Sequence, residues 1–202
     1  MPDGVGCGQH GEDRILALFF GAQSTGLLVD VGAANGYDNS NSIGLLKRPG
    51  WRGVLIDPLP EHAAELRTRY AGRDGVFIVD AGIGQREGMT QFHCGGQVST
   101  FDAATRKAAE DVHHIAYRTI SVQVRTLTSV LDGAGLAGQC VDFLSIDAEG
   151  RNYDVWQALD KAKYMPRLVC IEGHGYSMPG YVELCRCGCN TFYARSDQCL
   201  GL

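Results

Sequence analysis

At 202 residues and 45% hydrophobic content, the chain can bury one sizeable core but not two full ones. Its net charge of −5 lacks the basic face that a phosphate-backbone binder needs, so nucleic acid is not an expected partner. No apolar run approaches the ~18–20 residues of a bilayer span, and Met1-Pro2-Asp3-Gly4 lacks the basic-then-apolar order of a secretory leader, so a cytoplasmic protein is expected.

The first patterned stretch, "GQHGEDRIL" (8–16), sets His10, Glu12 and Asp13 ahead of apolar residues. It predicts either a helix start with a polar first turn or a segment that closes over a site. Five short apolar runs follow: Leu27–Val31, Gly53–Ile56, Val76–Val79, Val141–Ile146 and Leu168–Ile171. Near-continuous apolar runs of this length suit strands buried on both faces, as in a parallel sheet.

After the second run, "PLPEHAAELRTRYAG" places Leu59, Ala63, Leu66 and Tyr70 at helical spacing, with Gly72 as the stop signal. Arg67, Arg69 and Arg73 on this helix read as a solvated face. Residues 85–125 break the rhythm: "MTQFHC" and "TISVQV" predict extra strands, and "FDAATRKAAEDVHH" between them predicts a polar helix or excursion. His93, His113 and His114 in this segment are expected at the surface. The expected organisation is one domain over residues 1–202, with an insertion at about 85–125.

Leu127, Val130 and Leu131 mark a short helix before the fourth run, and Tyr153, Trp156 and Leu159 another after it. The alternation of strands and helices predicts an α/β fold, a three-layer sandwich. Cys140 and Cys170, beside apolar runs, read as small core residues. Cys185, Cys187, Cys189 and Cys199 lack the paired Cys-x-x-Cys knuckles of common zinc sites and read as free thiols in a reducing compartment. The final "NTFYARSDQCLGL" predicts two strands about a turn at Ser196-Asp197.

The first run ends in "VDVGAANG", with Asp30, Gly32, Ala34 and Gly36 at alternate positions. In an open parallel sheet, ligands bind beyond the carboxyl ends of the strands, and small residues there let a ligand reach backbone N–H groups. Asp57 ends the second run, where an acid can accept the hydroxyls of a ribose. Pro58 follows it, and the third run ends in Asp80, Ala81 and Gly82, where an adenine ring would lie. A dinucleotide usually requires G-x-G-x-x-G. Here a carboxylate precedes the first glycine by two residues, which repels a pyrophosphate and suits the cationic amino end of S-adenosylmethionine. Asp30, Gly32, Ala33, Ala34, Asn35, Gly36, Asp57, Pro58, Asp80, Ala81 and Gly82 are therefore the expected cofactor residues; Asp30 can alternatively serve only to brace the loop.

The fourth and fifth runs end in Asp147 and Glu149, and in Glu172 and His174. Four ionisable groups at neighbouring strand ends are costly to bury without partners, which points to a functional cluster. Methyl transfer to a hydroxyl needs an aligned acceptor and a base. His174 fits that role by its pKa range, with Asp147 positioning donor or acceptor. Alternatively, Asp147 and Glu172 hold Mg2+ that lowers the acceptor's pKa. Glu149-Gly150 can instead cap the following helix.

Taken together, "GQHGEDRIL", "VDVGAANG" (29–36), "GWRGVLIDPLP" (50–60), "VDFLSIDAEG" (141–150) and "VCIEGHG" (169–175) resemble the FkbM family of S-adenosylmethionine-dependent methyltransferases. The resemblance implies a class I methyltransferase (Rossmann-like) seven-stranded sheet whose last two strands form a C-terminal antiparallel hairpin. It also implies O-methylation of a small-molecule acceptor or sugar. Asp57 stands where the family often has glutamate, Ala33-Ala34-Asn35 replaces a shorter Ala-Asn pattern, and the chain ends at Leu202 with little room for a substrate-binding extension. A non-catalytic S-adenosylmethionine-binding module and an NAD(P)-dependent oxidoreductase are the competing readings.

Overall fold

The computed structural model describes residues 8–95, 99–114 and 116–198. The leader reading of Met1–Gly4, the thiol of Cys199 and the side chain of His113 lie outside the described residues. In chain order the elements are α1 (Glu12–Phe20), β1 (Thr25–Val31), α2 (Ile43–Leu46), β2 (Gly50–Ile56), α3 (Pro60–Arg69), β3 (Val76–Val79), β4 (Gly82–Ile83) and β5 (Gly88–Cys94). Then come α4 (Ala103–His113), β6 (Arg118–Arg125), α5 (Leu127–Gly133), β7 (Phe143–Ile146), α6 (Asn152–Gln157), β8 (Leu168–Glu172), β9 (Tyr181–Cys187) and β10 (Asn190–Arg195).

All five apolar runs are strands of one seven-stranded sheet, ordered β3-β2-β1-β7-β8-β10-β9. The first five strands in that order are parallel, and β10 runs antiparallel to both β8 and β9. Successive residues of one strand enter opposite cores. Leu27, Val29 and Val31 pack with Val130 and Leu131 of α5 and Val155 and Trp156 of α6. Leu28 packs with Leu16 and Phe20 of α1, Leu45 and Leu46 of α2, and Leu66 of α3. Burial on both faces explains why the runs are continuous rather than alternating. The three layers follow from it.

Strands β5 and β6 and helix α4 fall where the rhythm breaks. With β4, the two strands form a second, three-stranded sheet ordered β4-β6-β5. Leu59, Phe92 and Val122 make its small core, with Phe101 packed against it. His93 is not at the surface: it is 7% exposed, and its Nδ1 lies 3.0 Å from the Thr119 hydroxyl. His114 is exposed as expected.

The closing hairpin lies upstream of its expected place. Its strands are β9 and β10, joined at Gly188-Cys189, and residues 196–198 form a 3-10 turn. The cysteines of β9 hid the strand, because Cys185 and Cys187 pack against the core as small apolar groups. The six described cysteines are free. Cys170 is buried, but Cys140 is exposed in the loop before β7, outside the core that was expected to hold it. No helix among the described residues is long and apolar enough to cross a membrane.

Candidate active site

Strands β1, β2, β7 and β8 all point their carboxyl ends to the same edge of the sheet, where a cavity of about 570 Å³ opens. That volume is in the range of small-molecule sites. Gly32, Ala33, Ala34 and Asn35 line it, whereas Gly36 does not.

The two glycines answer to the protein rather than to a ligand. Gly32 has φ +84, and a Cβ there would lie 1.8 Å from the Asp147 carbonyl oxygen. Gly36 has φ +66, and its Cβ would meet Leu66 at 2.5 Å. Neither position admits a side chain. The loop amides are also committed: Gly32 and Ala33 N–H donate to the Ile56 carbonyl at 2.9 and 3.1 Å, and Ala34 N–H donates to Asp57 at 2.9 Å. The expectation of outward-facing amides therefore fails, and so does a pyrophosphate cradle at this loop. The next helix, α2, begins only at Ile43.

Asp57 is the brace that was ascribed to Asp30. Its carboxylate accepts from Ala34 N–H, from Leu59 N–H at 2.9 Å, and pairs with His62 Nδ1 at 3.1 Å. That hydrogen bond raises the His62 pKa above its ordinary value. Asp30 is 4% exposed on the cavity wall and accepts from the Ser42 hydroxyl at 2.5 Å. Burial pushes its pKa to about 6, against hydrogen bonds from Ser42 and Ser145 that lower it.

Pro58, Ala81 and Gly82 line the cavity, but Asp80 does not. Asp80 turns outward to Arg67, 3.1 Å away. On the same helix Arg69 donates to the Asn35 carbonyl at 3.1 Å, and in the turn after it Arg73 reaches the Arg48 and Trp51 carbonyls, so these basic residues brace the molecule rather than only facing solvent. The Phe101 ring lies against the Gly82 backbone, where a Cβ would sit 2.3 Å from it, and packs on Phe92 at 4.5 Å between centroids. With Ile83 they form an apolar wall.

The opposite wall is acidic. Asp147 and Glu172 follow or end the adjacent parallel strands β7 and β8, whose Ile146 and Ile171 are in register, and both line the cavity with Glu149. Asn152 is buried between them: its Nδ2 donates to Glu172 at 2.9 Å and its Oδ1 accepts from Ala148 N–H. Burial raises the Asp147 pKa first, and the charges of Glu172 and Glu149 raise it further. Glu149 is raised to about 7 by burial and then by Glu172. Its φ is +42, a conformation strained for a side-chain-bearing residue, and its carbonyl accepts from the buried Thr100 hydroxyl at 2.9 Å. The helix-cap alternative for Glu149 is not seen: α6 has Arg151 at its N-cap without a side-chain bond.

His174 is not part of this group. Gly173, at φ +98, turns the chain outward directly after Glu172, leaving His174 exposed with Nδ1 2.8 Å from Thr191 Oγ1. Two carboxylates, Asp147 and Glu172, remain as metal candidates, and among the described residues no group of three or more His, Cys, Asp or Glu is placed to hold an ion.

At the amino end, Glu12 and Asp13 form the first turn of α1, while His10 reaches the cavity. Glu12 is fully buried and accepts from His10 N–H and from Asn190 Nδ2, each at 2.8 Å. Asn190, His62, Ser42, Ser145 and Phe101 were missed from sequence. Only Ser145 carried a visible signal, as a polar residue inside the apolar run "FLSI".

Residues 30–179 match the model of a family described as "Methyltransferase FkbM domain". Among solved structures, the methyltransferase FkbM of Methylobacillus flagellatus KT is similar at 16% identity and TM-score 0.46, over 74% of this chain and 33% of that one, so this chain spans about a third of that relative's length. The Escherichia coli protein yhhF, provisionally assigned as a methyltransferase, is 12% identical with TM-score 0.55, over 96% of this chain and 89% of its own. HI0767 of Haemophilus influenzae, provisionally assigned as a methylase, is 9% identical with TM-score 0.52, over 91% and 87%. The last two likenesses show a Rossmann-like fold shared with such proteins. Comparison with curated proteins finds no match.

Proposed function

The chain belongs to the FkbM methyltransferase family, and from that premise we propose that it uses S-adenosylmethionine to methylate a hydroxyl group of a small molecule. One observation carries the reading: Asp30 and Asp57 share a cavity with Asp147, Glu149 and Glu172, and no Lys or Arg among the described residues lines it. Such a wall favours a cationic ligand. The residues present fit the proposed cofactor. Asp30 and the unpartnered Asn41 Oδ1 would hold its ammonium end, Asp57 keeps about one acceptor site, on Oδ2, for a ribose hydroxyl, and the Ile83–Phe101 wall with Ala81 suits a flat base.

When bound, the cofactor would supply an electrophilic methyl group for the acceptor oxygen, with the C–S bonding pair leaving on sulfur. The chain's task is to orient the acceptor and remove its proton. Glu149, held near neutrality on the cavity wall, is the favoured base in place of His174, and its carboxylate takes the hydroxyl proton. Asp147 and Glu172 orient the reactants, with Asn152 fixing Glu172. S-adenosylhomocysteine should raise the melting temperature, and NAD at matched concentration should not. A larger shift with NAD would overturn the assignment.

A further inference from the structure

Three buried acceptor atoms on the cavity have no hydrogen-bond partner among the described residues: Asn41 Oδ1, Asp147 Oδ1 and Asn190 Oδ1. Buried acceptors in native proteins are rarely left unpaired. Asn190 is the most telling. It is 4% exposed, and its amide orientation is fixed because Nδ2 donates to Glu12, whose other oxygen is taken by His10 N–H. Its Oδ1 thus cannot be satisfied by flipping the group.

Asn190 opens β10, in register with Glu172 at the end of β8. It lies on the side of the cavity formed by β8, β10 and the segment before α1, away from Asp30 on β1 and Asp57 just after β2. Glu172, Glu149 and Asp147 face the same space, and among the described residues the basic side chains on the lining are His10 and His62. An anionic acceptor would meet these carboxylates with no Lys or Arg among the described lining residues to offset them. A neutral polyol could satisfy Asn190 but would bring no positive charge to the acids.

We infer that this end of the cavity is the acceptor subsite and that it takes a hydroxylated amine: an acceptor whose ammonium group lies against Glu172 and Asp147 and donates to Asn190 Oδ1. The inference rests on the methyltransferase reading above and names the substrate class within it. The amine supplies the missing donors and the missing positive charge in one group. It also selects against phosphorylated and carboxylated analogues of the same skeleton.

Calorimetry on the full chain tests the two layers separately. S-adenosylhomocysteine is titrated first; absence of binding sinks the methyltransferase reading and this inference with it. The loaded protein is then titrated with glucose and with glucosamine and glucose 6-phosphate, each of which differs from glucose at one substituent. Glucosamine should bind roughly tenfold more tightly than glucose, with glucose 6-phosphate weakest. Glu172→Gln, which keeps an acceptor for Asn152, should erase that preference while S-adenosylhomocysteine affinity stays within a few fold. With the cofactor arm intact, equal binding of glucosamine and glucose, tighter binding of the phosphate, or no binding of any sugar would overturn the acceptor assignment alone.

Discussion

The two halves of the cavity rim are built on different terms. At the ends of β1 and β2 the protein's own groups supply the partners: Asp57 takes two backbone N–H groups and His62, and Asp30 takes Ser42. At the ends of β7 and β8 the carboxylates crowd one another, Glu149 sits in a strained conformation, and Asp147 Oδ1 lacks a donor. Apart from Asn41 Oδ1, the first half has its partners before any ligand arrives. The other is short of hydrogen-bond donors and positive charge. Preorganisation at the first would lower the entropy lost on binding the proposed cofactor, whereas the shortage at the second is what a reacting partner would relieve.

The largest expected effect tests the unfinished half. Glu149→Gln keeps size and removes the base, so methyl transfer from labelled donor into an acceptor extract should fall about 100-fold or more, with S-adenosylhomocysteine affinity within a few fold. Turnover matching the unmodified protein would move the base elsewhere and erase the contrast.

Asp57→Ala tests the finished half. It removes the loop's brace along with any ribose contact, and hydrogen bonds to charged groups contribute about 1.5–3 kcal/mol each. Cofactor-analogue affinity should drop roughly tenfold or more by calorimetry, and the denaturant midpoint should fall too. Loss of affinity with no loss of stability would mean that Asp57 serves the ligand and not the loop.

The smallest effect is in pH. Asp30 and Glu149 have folded pKa values of about 6 and 7, raised from 3.8 and 4.5. The folded state therefore holds more protons than the unfolded one between these limits, so their contribution to stability is full below about pH 4 and declines as pH rises through 6 to 7. His62, also raised, acts in the same direction. Cation binding opposes it, since it favours the ionised acids. Between pH 6 and 8, affinity for the cationic analogue sinefungin should rise a few fold relative to that for S-adenosylhomocysteine. Parallel pH curves for the two would show that the acids do not sense ligand charge.

Much of the sheet was legible because burial on both faces writes a continuous apolar run, as in Leu27–Val31. The acids at the strand ends were legible for the same reason: each marks where such a run stops. What stayed hidden depends on contacts between distant parts of the chain. Gly32 looked like an opening for a ligand until the Asp147 carbonyl was seen against it. His174 looked like a base until the left-handed turn at Gly173 carried it away. Asn190 gave no signal, since its meaning comes from Glu12, on a helix at the other end of the chain. The hairpin was misplaced because cysteines were weighed by their chemistry rather than by their size.

The bare contact between Gly32 and the Asp147 carbonyl has a mechanical meaning. With no side chain between them, and with Asp147 N–H also bonded to the Val31 carbonyl at 2.9 Å, the two rims of the cavity are clamped backbone to backbone. Side chains can absorb a small shift by changing rotamer, but this joint has none to change. A displacement of the β1 loop must therefore carry the start of the β7 loop with it, acid included. The two halves differ in chemistry yet move as one lever, so whatever seats the first partner also sets the position from which the second is addressed.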